Sequence, residues 1–115
     1  SPAEFIPLAE ESGAIVEMGE WILATACRTL TDWARRPTFR DLNLSANISP
    51  RQFIENDFVA RLQAVLRKTG APASKLLLEV TEGIVLLNTD QVIQKMRELC
   101  NMGLSFSVVA VGTGY

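Results

Sequence analysis

The feature that most narrows the fold is an alternation. Amphipathic helical patterns and short β-type runs succeed one another along the chain. The run Leu42-Asn43-Leu44-Ser45-Ala46-Asn47-Ile48-Ser49 alternates strictly, with Leu42, Leu44, Ala46 and Ile48 on one face and the polar residues on the other, and Pro50 ends it. Leu76-Leu77-Leu78-Glu79-Val80-Thr81 is a near-continuous apolar run, the form of a buried parallel strand. Leu104 to Val111 forms the last strand. Between and before them lie helical patterns. Residues Ile15 to Ala34 carry Ile15, Met18, Ile22, Ala26 and Leu30 at spacings of three and four, and Arg35-Arg36-Pro37 breaks the run. Asp57 caps a helix with Phe58, Leu62, Val65 and Leu66, ended by Gly70 and Pro72. Asn88-Thr89-Asp90 starts another, with Val92, Ile93, Met96, Leu99 and Cys100 inward and Gly103 at its end. One more opens the chain: Ser1 can cap, Pro2 suits the first helical position, Glu4 completes a capping box, and Gly13 can end it.

The order is helix, helix, strand, helix, strand, helix, strand. Strands joined by crossover helices are parallel, so the class is α/β. The elements suit a small open sheet or one half of a (β/α)8 barrel, which typically needs about 250 residues. The chain has 115 residues, opens abruptly on a helix and stops abruptly on a turn, and so reads as a piece of a larger unit.

Composition removes several classes of function. The net charge of -2 excludes a broad basic nucleic-acid surface but leaves room for a small phosphorylated ligand. There is no histidine, which rules out histidine acid–base catalysis and most zinc sites. Cys27 and Cys100 sit in helical patterns and read as small buried hydrophobes, without a disulfide framework. A reducing, cytoplasmic compartment fits. No apolar run approaches the roughly 20 residues of a membrane span, and the start lacks the basic and apolar regions of a signal peptide. The basic pairs Arg35-Arg36 and Arg67-Lys68 read as solvated helix ends.

A few polar residues need explaining. Glu79 interrupts an apolar strand near its C-terminal end, where parallel α/β folds place their sites. A buried lone carboxylate is costly unless paired or metal-bound, so Glu79 is either a ligand or a structural residue bonded to backbone or a lysine. Asn47 lies on the polar face of its strand, also near the C-terminal end. Its amide oxygen is a hard ligand suited to magnesium or calcium, or else it satisfies the turn before Pro50. Glu82 follows the strand as a supporting acid or a helix N-terminal charge.

Five stretches accumulate into a family resemblance: PAEFIPLAEESGAI (Pro2 to Ile15), MGEWILATAC (Met18 to Cys27), LSANISPRQF (Leu44 to Phe53), LLEVTE (Leu77 to Glu82) and GTGY (Gly112 to Tyr115). In this order and spacing the chain resembles the EAL domain of bacterial cyclic di-GMP phosphodiesterases, from end to end. The resemblance implies a modified TIM barrel of which this chain, residues 1–115, is about the first half. It would lack the Glu-Ala-Leu strand upstream and the C-terminal half of the barrel. It also implies metal-dependent hydrolysis of cyclic di-GMP to linear pGpG, with two divalent ions, magnesium or manganese, activating water and clamping the phosphate. Carried over by motif, Asn47 and Glu79 are metal-ligand positions and Glu82 steadies the site and its loop.

The departure lies at the last strand. The family runs into Asp-Asp-Phe-Gly-Thr-Gly-Tyr; here the matching stretch is Val109-Ala110-Val111-Gly112-Thr113-Gly114-Tyr115. Gly112, Thr113 and Gly114 form the active-site loop, and both metal-binding aspartates are replaced, by Val109 and Ala110. Valine and alanine offer no lone pairs. The expectation is a catalytically inactive chain with no bound metal of its own. Its alternatives are a degenerate cyclic di-GMP receptor, a protein-interaction module, or a structural half barrel that self-associates into a homo-oligomer through its open surface. Neither a nucleic-acid polymer nor a membrane is expected as a partner.

Overall fold

The structure is a computed structural model and describes residues 14–87 and 89–109. The expected opening helix, Ala110 and the loop Gly112-Thr113-Gly114 lie outside these residues. The elements are α1 (Ala14–Ala34), β1 (Leu44–Ile48), α2 (Pro50–Phe53), α3 (Phe58–Thr69), a 3-10 turn (Ala73–Lys75), β2 (Leu76–Thr81), α4 (Glu82–Leu87), α5 (Asp90–Asn101) and β3 (Ser105–Val109). The strands form one parallel sheet in the order β1-β2-β3. This is the α/β arrangement with crossover helices that the alternation implies.

The helices cover one face of the sheet. Ala46, Ile48, Leu76, Leu78 and Val80 point into them and are buried. Against these pack Leu23, Ala26, Cys27 and Leu30 of α1, spaced as one helical stripe, and Leu62 of α3 and Leu99 of α5. Burial pushes the Cys27 thiol above its usual pKa, against the opposing pull of Arg28 and a hydrogen bond with Thr69.

Several expectations differ from the fold in detail. Leu42 is exposed outside β1, because its N–H closes a turn onto the Phe39 carbonyl. Pro50 does end the strand, but it also begins the one-turn α2. Ser49 Oγ accepts from the Gln52 N–H at 3.1 Å, and Pro50 occupies the first turn, where its missing N–H costs nothing. Asp57 makes no cap with its side chain; its carboxylate pairs with Arg61 Nε one turn on, at 2.6 Å. Ile22 of α1 and Ile93 and Cys100 of α5 are exposed, since the buried stripes run through Leu23 and through Val92 and Leu99. Cys100 is therefore not a core residue. The short α4 between β2 and α5 starts at Glu82, which makes that residue the helix N-terminal charge the sequence offered as one alternative. The remaining helix ends follow the sequence: Thr89 Oγ1 accepts from the Val92 N–H at 3.2 Å, and Gly70 adopts the left-handed φ of 73° that closes α3.

One long-range tie fixes the connection after β1. Lys95 of α5 donates from Nζ to the Phe53 carbonyl at 2.8 Å and the Glu55 carbonyl at 2.7 Å. Phe53 is fully buried, stacks against Phe58 and Phe106, and lies under the Lys95 ammonium. Burial pushes the Lys95 pKa below the usual lysine range, against the pull of Glu55, Asp57 and Glu98. No helix among the described residues is long and apolar enough to cross a membrane.

Candidate functional site

Among the described residues, the second face of the sheet carries no helix. Alternation puts Ser45 and Asn47 of β1, Leu77, Glu79 and Thr81 of β2, and Ser105 and Ser107 of β3 on it. All of these are exposed or half-buried. Because the strands are parallel, their C-terminal ends share one edge of the sheet, and the register sets which side chains meet there.

Asn47 pairs with Glu79, and Glu79 with Ser107, so one row of three polar residues crosses the sheet. Neighbouring strands lie about 4.8 Å apart, which puts the Asn47 amide and the Glu79 carboxylate side by side. Glu79 is half-buried rather than enclosed, which lowers the desolvation cost of its charge. Among the described residues nothing forms an ion pair with it. Among the described residues no lysine is tied to Glu79. Ser49 caps α2, accepting from the Gln52 N–H after Pro50, and the Asn47 side chain is exposed.

Glu82 is half-buried in the first turn of α4, directly after β2. It stands at the same end of the sheet as the Asn47–Glu79 pair. One step beyond the row, Thr81 pairs with Val109, so the β3 backbone reaches the place where the sequence has valine instead of a carboxylate. Ala110 follows outside the described residues. Thr81 shares the Glu79 face by strand alternation, but Ser107 becomes its neighbour only through the pairing of β2 with β3. The alternation of Ser105, Ser107 and Phe106, Val108 held the signal, but the register needed the fold.

The donor set can be tested against a hard divalent cation. An amide oxygen and a carboxylate oxygen are of the right type for magnesium or manganese. Their number is too small: magnesium takes six oxygens, and among the described residues no cluster of three Asp, Glu, His or Cys side chains could hold a metal. The described residues do not by themselves fit a metal centre, and no reaction step is derived through one.

Comparison with known proteins gives the same family from three directions. A family model described as the EAL domain matches residues 1–115. The chain is 38% identical over 115 residues to the uncharacterized protein y4lL of Sinorhizobium fredii and 36% identical to the bifunctional diguanylate cyclase/cyclic di-GMP phosphodiesterase MucR of Pseudomonas aeruginosa. It covers all of its own length in both, but 13% and 17% of theirs. Among solved structures, the MucR phosphodiesterase in complex with c-di-GMP superposes with a TM-score of 0.87 at 36% identity, over the whole of this chain and 49% of that one. The EAL enzyme Bd1971 in its cAMP- and cyclic-di-GMP-bound form gives 0.83 at 30% identity, over the whole of this chain and 32% of that one. The described sheet and its helices thus correspond to part of a larger, TIM-barrel-like domain.

Proposed function

The chain belongs to the EAL domain family, and on that premise we propose that it supplies one side of a divalent-metal and cyclic di-GMP site without hydrolysing the ligand by itself. The observation that carries this reading is the Asn47–Glu79 pair, set side by side on the uncovered face at the C-terminal edge of the sheet. These are the family's metal-ligand positions, and the pair retains hard oxygen donors. Glu82, at the start of α4, is the residue proposed to steady the site and its loop. The family's two aspartates fall at Val109 and Ala110, which coordinate nothing, so a two-metal clamp cannot form from these residues. Loss of the clamp with retention of the scaffold suits a ligand-sensing role better than a catalytic one.

Titration of cyclic di-GMP into the 115-residue chain, with and without magnesium, tests this. The expected result is weak magnesium-dependent binding, reduced by Glu79→Gln, with no pGpG on chromatography. Formation of pGpG would overturn inactivity; binding unaffected by both magnesium and Glu79→Gln would overturn the metal assignment.

A second reading concerns assembly. Among the described residues, β1 and β3 are both edges of the sheet and its second face is uncovered. Unpaired strand edges invite pairing with a second copy, so self-association into a homo-oligomer is the expected state at micromolar concentration. A monodisperse monomer by light scattering would refute it. The exposed free Cys100 and buried free Cys27 fit the reducing cytoplasm in which such a signalling protein would work.

A further inference from the structure

One cation from each of the two basic pairs that read in sequence as separate solvated helix ends, Arg35 and Lys68, is brought to one place by the fold. α1 and α3 lie side by side with their C-terminal halves together, pinned where Thr31 Oγ1 donates to the Thr69 carbonyl at 3.0 Å. Between them runs an open trough of about 460 Å³, with Ala24 and Val65 as apolar lining and Arg28, Arg35 and Lys68 as cations. All three cations are exposed, and none forms an ion pair among the described residues. The one acid in the trough, Asp32, is engaged by Arg36 at 3.0 Å. A chain of net charge -2 therefore concentrates unneutralised positive charge here, at the end of the sheet opposite the Asn47–Glu79 pair.

Compensation of helix dipoles does not account for the pattern. Cations in the last turn of a helix stabilise it, which explains Lys68, but Arg28 lies well inside α1. Arg28 lies on α1 and Arg35 directly follows its last residue, Ala34, seven positions on, a rise of about 10 Å at helical spacing. The two arginines thus make a short row on one side of the trough, with Lys68 of α3 on the other. A row of that length matches carboxylates repeated at two-turn spacing on a second helix, and Ala24 and Val65 give its apolar side an apolar lining to meet.

We propose that the trough between α1 and α3 docks an acidic amphipathic helix presented by a protein partner, with carboxylates meeting Arg28, Arg35 and Lys68. The proposal is independent of the metal and cyclic di-GMP reading, because no residue is shared.

The test uses the 115-residue chain and a fluorescein-labelled alanine-rich peptide of about 20 residues, long enough to be helical. Its glutamates sit at positions spaced four and seven apart. Anisotropy should show saturable binding that weakens with added salt. Arg28→Glu, Arg35→Glu and Lys68→Glu together should weaken it about tenfold or more, while Arg97→Glu on α5 leaves it unchanged. Equal binding by a scrambled peptide of the same composition would mean bulk charge only and overturn the proposal. So would displacement by millimolar inorganic phosphate at fixed ionic strength, which would mark a simple anion site. Should the triple variant fail to give a native circular dichroism spectrum, amide shifts on the parent chain decide: shifts centred on α1 and α3 around the trough support the proposal, and shifts elsewhere refute it.

Discussion

Replacing Lys95 by methionine tests how the connection after β1 is held. The substitution removes two charged hydrogen bonds, to the Phe53 and Glu55 carbonyls, and an ammonium seated 5.9 Å from the Phe53 ring centre. It keeps an unbranched stem to pack on that ring. A hydrogen bond to a charged group contributes about 1.5–3 kcal/mol net when its loss strands the partner. The half-buried Glu55 carbonyl regains water on the substitution and contributes about 0.5 kcal/mol, while the carbonyl of fully buried Phe53 is left stranded and contributes about 1.5 kcal/mol. The expected loss is about 2 kcal/mol, which for a domain of this size lowers Tm by about 10 °C. Lys75→Met is the control, since Lys75 makes one exposed bond of 3.4 Å to the Asp41 carbonyl and should lose less than about 0.5 kcal/mol. Urea denaturation followed by tryptophan fluorescence and by far-UV circular dichroism reads both variants. If Lys95→Met falls within error of Lys75→Met, the tie carries no stability and the reasoning fails.

Two further outcomes follow from packing. Gly19 lies in α1 directly beneath the buried Gln52 amide, and a Cβ there would overlap that side chain. Gly19→Ala should therefore destabilise the fold by about 1 kcal/mol or more despite alanine's better helix propensity, and Gln52→Ala should relieve part of the cost; additive effects in a double-mutant cycle would refute the contact. Iodoacetamide should modify the exposed Cys100 readily in the native state and spare Cys27, which is fully buried with a raised pKa, until the chain unfolds. Equal rates by mass spectrometry would show that α1 is not seated on the sheet.

Much of this molecule was legible because its signals are local. β2 occupies the span its apolar run marks, Leu76–Thr81, and Thr89 and Gly70 cap the helices they were expected to cap. Such features depend on a few consecutive residues, their dihedrals and their nearest N–H and C=O groups. The polar identity of Asn47 and Glu79, and their place near strand ends, is likewise written in the chain and carries the family resemblance. The faces of helices were harder to read. Ile22, Ile93 and Cys100 fit an apolar period as well as their buried neighbours do, and only the packing of α1 and α5 on the sheet selects Leu23, Val92 and Leu99 instead.

What tertiary structure alone decided is every relation between distant segments. The register that aligns Asn47, Glu79 and Ser107 in one row depends on pairing among three strands, and a shift of one residue would turn the row to the other face. The clamp of Lys95 on α2 and the meeting of Arg28 and Arg35 with Lys68 join residues far apart in sequence. The alternation of patterns dictated a parallel α/β sheet with one polar face. Where its charges gather, and which of them stand unpaired, was settled only when the helices packed, because electrostatic neighbours are set by distance in space and not along the chain.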